Sequence, residues 1–276
     1  MGRALKQMLY ALLTLSALCP FVPAQAAASE GKLQICAVTQ LYDVLEDLKP
    51  LAPQAFESHV GTSEELYALI ANGDLRCDVL LSSDERLPVT LVRAAKADAL
   101  TLKPFTRAEL ILWSPDKNFF KDPVAKLMER NLRSLAYPDA RLTPVGFAAH
   151  ELLTDRQFPG SYLKDRLYVA SQEYAVQGMV EAGYVECGFI TRPLITGPDK
   201  QPAGSYWLVP RGYYPDLLYY SIILEDSAKR EAALAFTAWL RQDVTVEDRL
   251  SERGFAPLLI DNEPYRELLP HFKIRR

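Results

Sequence analysis

"GTSEELYALIANGDLRCDVLLSSDERL", residues Gly61 to Leu87, reads as a loop, an amphipathic helix, a short turn, a buried strand and a second small polar loop at Ser82-Ser83-Asp84. Leu66, Leu69 and Ile70 recur at helical spacing, and Asp78–Leu81 is an apolar run of strand length. A helix feeding a buried strand through a Gly-Asp turn is half of an α/β unit. Thr62-Ser63-Glu64-Glu65 is a capping-box pattern, in which Thr62 caps the helix and Glu65 reaches back to its start.

Outward from this stretch the same alternation continues. Short apolar runs predict strands at Leu33–Val38, Glu109–Trp113, Ser134–Tyr137, Leu167–Ala170, Cys187–Thr191, Ser205–Val209 and Leu217–Leu224. Helical patterns lie between and after them: Leu41, Val44, Leu45 and Leu48, then Ala148–Leu153, Ala175–Glu181, Ala228–Leu240 and Val246–Arg253. Such alternation predicts parallel sheets covered by helices on both faces. The Pro- and Gly-containing segment Thr196–Gly204 reads as a surface loop.

The first residues stand apart. Arg3 and Lys6 precede a nearly apolar run from Met8 to Leu18, and Ala24-Gln25-Ala26 follows. That is the pattern of a secretory signal peptide, too short to cross a membrane as a helix, with cleavage expected after Ala26 and Ala28 as the alternative. Leu18 stands where a lipid-attachment site needs a small residue, so Cys19 leaves with the signal. About 250 residues remain, enough for one large or two modest domains. The net charge of −4 and the lack of a basic stripe exclude nucleic acid as a partner. Cys36, Cys77 and Cys187 stay in the mature chain. Each lies in or beside an apolar run, where a free Cys behaves as a small hydrophobe, and free thiols are the expected state. Cys36–Cys77 is the pair if one bridge forms.

In open α/β sheets ligands sit at the carboxyl ends of strands, where helix N-termini point. The junctions there are polar or small: Ala37-Val38-Thr39-Gln40, Gly61-Thr62-Ser63, Thr143-Pro144-Val145-Gly146, Ser171-Gln172-Glu173 and Thr191-Arg192-Pro193. Each alone is no more than an ordinary helix cap.

Together they resemble one family. The segments "ICAVTQLYDVLEDL", "GTSEELYALIANGDLRCDVLLSSDE", "TPVGFAAHELL", "MVEAGYVECGFI" and "AALAFTAWLRQD…LSERGFAP" follow the order and spacing of the periplasmic molybdate-binding proteins, solute receptors of ABC importers. The resemblance implies an α/β, two-lobed periplasmic-binding-protein fold, each lobe a mixed, mostly parallel sheet flanked by helices. After a signal peptide of residues 1–26, it implies one lobe of 27–106 with 217–276 and a second of 107–216. It further implies a monomeric, non-enzymatic periplasmic protein without cofactor, closing on a small polar solute or oxyanion and delivering it to an ABC permease. The ligand-binding residues carried over are Thr39, Gln40, Thr62, Ser63, Val145, Gly146, Glu173, Tyr174, Thr191 and Arg192.

The departures bear on the ligand. The family's first-loop serine falls on Gln40, a small third-loop residue becomes Val145, a valine falls near Glu173 or Tyr174, and a tyrosine becomes Thr191. Glu64 and Glu65 add negative charge within a turn of the implied anion, and two unit charges about 6 Å apart interact by roughly 3 kcal/mol at an effective dielectric of ~20. The expected ligand therefore carries or tolerates positive character, or is a monoanion paired to Arg192, in preference to molybdate.

Two other function classes find little support in the residues. Ser161-Tyr162-Leu163-Lys164 spells S-x-x-K, but the companion motifs of penicillin-recognising hydrolases are absent. His59, His150 and His271 lack a second ligand at metal spacing. The aromatic pairs Tyr206-Trp207, Tyr213-Tyr214 and Tyr219-Tyr220 read as core and hinge packing. A receptor fold that has lost its ligand and serves in assembly would show a cleft filled by large side chains.

Overall fold

The computed structural model describes residues 31–156, 158–197 and 199–258. The signal-peptide pattern with its cleavage site, Cys19 and His271 lie outside the described residues.

The strands are β1 (Leu33–Val38), β2 (Phe56–Gly61), β3 (Val79–Ser82), β4 (Lys103–Ala108), β5 (Leu110–Ser114), β6 (Leu135–Pro138), β7 (Leu167–Ala170), β8 (Cys187–Thr191), β9 (Ser205–Leu208), β10 (Leu217–Ile223) and β11 (Phe255–Ala256). The α-helices are α1 (Tyr42–Leu48), α2 (Ser63–Asn72), α3 (Arg86–Arg93), α4 (Pro123–Met128), α5 (Pro144–Thr154), α6 (Glu173–Glu181), α7 (Arg230–Gln242) and α8 (Val244–Glu252). Two sheets result, one ordered β11-β4-β10-β3-β1-β2 and the other β7-β6-β8-β5-β9. The first draws on residues 33–108 and 217–256, the second on 110–208.

The chain leaves the first sheet at the end of β4 and enters the second at β5, with Glu109 alone between them. It returns at Leu217, which pairs with Ala108. A strand that comes back beside the point of departure must run antiparallel to its neighbour. In all, five pairings are antiparallel and four are parallel, so the sheets are mixed but parallel pairing does not dominate.

The fully apolar strands are those buried on both faces. In β5, Leu110 and Leu112 join the large hydrophobic cluster while Ile111 and Trp113 join a separate one behind the second sheet. In β1, only Gln34 is not fully buried. The strand β2 alternates between buried and exposed positions because it lies at the sheet edge.

Cys36 and Cys77 form a disulfide, contrary to the expectation of free thiols. Cys36 lies in β1 and Cys77 two residues before β3, the strand that pairs with β1, and their Cα atoms are 5.8 Å apart. That proximity cannot be read from an odd cysteine count. Cys187 remains a buried thiol, and burial pushes its pKa up.

Candidate functional site

A cavity of about 650 Å³ opens where the carboxyl ends of strands from both sheets meet. From the first sheet come Val38, Thr39 and Gln40 at the end of β1, Gly61 to Glu64 and Tyr67 from the end of β2 into α2, and Ser83, Asp84, Arg86, Leu87 and Thr90 after β3. From the second come Leu142 to Val145 at the start of α5, Gln172 to Tyr174 at the start of α6, and Thr191 at the end of β8. Leu217 and Tyr219 of β10 form the remaining wall. Helix starts therefore converge on the space, and each brings backbone N–H groups that lack partners within the helix.

How those groups are met differs between helices. Thr62 Oγ1 accepts the Glu65 N–H at 3.2 Å, as the capping-box pattern requires. Thr143 Oγ1 accepts the Gly146 N–H at 2.9 Å and donates to the Asp139 carbonyl at 3.2 Å. The 3₁₀ turn Thr39–Leu41 and helix α6 begin with no side-chain cap.

Glu173 is the unusual member. It is 5 % exposed, yet it carries a carboxylate on the cavity wall. Its Oε2 accepts from the Thr191 N–H at 3.1 Å and the Thr191 hydroxyl at 2.8 Å, and its Oε1 accepts from Gln40 Nε2 at 3.1 Å. The Gln40 contact ties the first sheet's loop to the second sheet's helix. Burial raises the Glu173 pKa, and the three neutral donors only partly oppose that. Burial also raises the hydroxyl pKa of Tyr174 and Tyr219, and the charge of Glu173 adds to the rise in both.

Eight of the ten residues singled out from sequence line the cavity: Thr39, Gln40, Thr62, Ser63, Val145, Glu173, Tyr174 and Thr191. Gly146 and Arg192 do not. A Cβ on Gly146 would fall 2.4 Å from the Pro138 carbonyl oxygen, so this glycine seats α5 directly on the backbone that follows β6. Arg192 pairs instead with Glu109, Nη1 to Oε2 at 3.0 Å, at the crossing between the sheets. The cationic side chain on the cavity is Arg86, which Asp84 clamps through contacts of 2.6 and 2.8 Å. The Ser83-Asp84 loop was visible as a polar strand end but was not carried into the site. Thr143 and Gln172 were signalled only by their places at helix starts and Tyr219 by its aromatic run, whereas Tyr67, inside α2, carried no signal.

Ser161 and Lys164 of the S-x-x-K match are exposed and off the cavity, in and just after a 3₁₀ turn. His59 and His150 are exposed.

Among solved structures, the chain is similar to the periplasmic molybdate-binding protein of Azotobacter vinelandii, with 22% identity, a TM-score of 0.67, and coverage of 83% of this chain and 100% of that one. The substrate-binding domain of a putative molybdenum ABC transporter from Clostridium difficile gives 20% identity and a TM-score of 0.68, covering 83% of this chain and 99% of that one. The sulfate-binding protein SubI of Mycobacterium tuberculosis H37Rv gives 12% and 0.59, covering 82% and 87%. At such identities these likenesses speak to the two-lobed α/β fold. A family model for bacterial extracellular solute-binding proteins matches residues 46–255, most of the chain. The chain belongs to the bacterial extracellular solute-binding protein family.

Proposed function

We propose that this protein is the periplasmic receptor of an ABC-type importer, a monomer that holds a small polar solute between two lobes and presents it to a membrane permease. In this reading residues 27–106 with 217–276 form one lobe, 107–216 form the other, and residues 1–26 are removed on export. The observation that carries the reading is the cavity itself, walled by strand ends and helix starts of both sheets. A receptor fold that had lost its ligand would have closed this space with bulky side chains. Val145 and Tyr174 stand on the wall, but about 650 Å³ stays open around them. That volume holds roughly 20 waters at about 30 Å³ each. A tetrahedral oxyanion would fill a small part of it, which favours an organic solute.

The test is a thermal-shift screen of the processed protein against sugars, amino acids, amines, carboxylates and oxyanions. A ligand at 100 times its dissociation constant stabilises the native state by about 2.7 kcal/mol. For a chain of this size that is a rise of roughly 5–10 °C in Tm. The proposal expects such a rise for one solute class; a flat response across all of them would count against it.

A further inference from the structure

Glu173 presents a buried carboxylate whose three protein donors are all neutral: the Thr191 N–H, the Thr191 hydroxyl and the Gln40 amide. A carboxylate has about four acceptor positions, so one remains on Oε1, the oxygen that Gln40 shares. Among the described residues no lysine or arginine forms an ion pair with Glu173. Buried charges are stable when paired, and here the pairing charge is missing from the protein. The surrounding wall has the same bias. Among the described residues, three acidic ones, Glu64, Asp84 and Glu173, line the cavity against one basic residue, Arg86, and Asp84 and Arg86 already hold each other. The rings of Tyr67, Tyr174 and Tyr219 line the same space, and aromatic faces attract cations through their quadrupole.

We propose that the solute is a small organic cation, whose ammonium or guanidinium group is seated on Glu173 and whose carbon chain lies against Tyr174 and Tyr219. This rests on the solute-receptor reading above and assigns the charge of its ligand. The cation supplies the charge that Glu173 lacks, and its N–H groups take the unspent position on Oε1. An anion would meet Glu173 and Glu64 with no free guanidinium among the described lining residues to offset them, since Arg86 is held by Asp84.

The experiment is calorimetric titration with putrescine and agmatine, with butane-1,4-diol as the uncharged counterpart of putrescine, and with molybdate and sulfate as anions. The expected result is saturable binding of at least one amine and none of the diol or the anions. Glu173→Gln should weaken that amine at least about tenfold, since a charge-assisted hydrogen bond becomes a neutral one. Because Glu173→Gln touches a buried network, Tyr174→Ala serves as a second variant at a partly exposed position and should weaken the amine severalfold. Binding of molybdate or sulfate in place of the amines would overturn the cation assignment and leave the receptor reading standing. Equal amine affinity in wild type and in both variants would also overturn it. No binding by any of these probes, together with a flat thermal screen, would remove both.

Discussion

At the scale of single residues, Glu173 couples the site to pH. Burial lifts its pKa above the model-peptide value of 4.5, so the folded state holds this proton more tightly than the unfolded chain does. Below about pH 4.5 both states are protonated and the group is neutral to stability. As pH rises from there to the raised native pKa, the unfolded chain releases the proton first and stability falls. Glu173→Gln cannot titrate, so its melting temperature should gain on wild type as pH is raised through that window. A constant difference between the two proteins from pH 4 to 8 would contradict the buried, unpaired carboxylate. Carboxylates held low by arginines, such as Asp47 by Arg253, titrate alike in both proteins and cancel in the comparison. At this scale the sequence was legible wherever a residue's position on the cavity wall follows from its place at a strand end, as for Thr39, Thr62 and Thr191. It was illegible where the role depends on a distant partner. Arg192 faces Glu109, 83 positions away, and nothing local announces that pairing.

At the scale of elements, strands buried on both faces were legible almost to the residue, because a continuous apolar run has few other uses. The edge strand β2, with the sequence FESHVG, and β4, which carries Lys103, Pro104 and Arg107, were missed. Their backbones are recruited by neighbours, and their side chains carry no strand-like pattern. Helix α3 was missed as well, since Pro88 interrupts its helical signature. The Cys36–Cys77 bond ties β1 to the segment entering β3, the two strands whose ends support much of the cavity wall. Its sequence separation of 41 gives a chain-entropy contribution of about 4 kcal/mol, an upper figure if the reduced chain keeps structure. Reduction under native conditions should therefore lower Tm by roughly 10 °C, read by calorimetry with and without dithiothreitol. An unchanged Tm after mass spectrometry has confirmed reduction would remove the bond from the account of stability. The glycine that seats α5 offers a parallel case. Gly146→Ala should displace the helix start that carries Thr143 and Val145, costing about 1–3 kcal/mol from overpacking and weakening ligand binding in step. Normal affinity and normal urea midpoint in that variant would show that the close approach is not required.

At the scale of the whole molecule, the two sheets are joined by more than the crossing strands. Arg253, after α8, holds Asp47 through two contacts of 2.7 and 3.0 Å and reaches the Gly197 carbonyl at 3.2 Å. Gly254 follows with φ of +85°, and a Cβ there would lie 2.6 Å from Thr196 Oγ1. Thr196 and Gly197, in a segment the sequence suggested only as surface, thus pack on the residues that follow α8. Gly254→Ala meets both a left-handed backbone and a filled space, and should cost more than about 1 kcal/mol in urea unfolding. A midpoint equal to wild type would mean that the two bodies do not depend on this contact. The central claim concerns the space between them: one solute binds there, in the cavity and nowhere else. Native mass spectrometry of the processed protein with the strongest solute from the thermal screen tests it most directly, beside Val145→Trp, which places an indole in the cavity. The account predicts a one-to-one complex for wild type and only the bare mass for Val145→Trp at the same solute concentration, with matching circular dichroism. Equal complex formation by both proteins would contradict it.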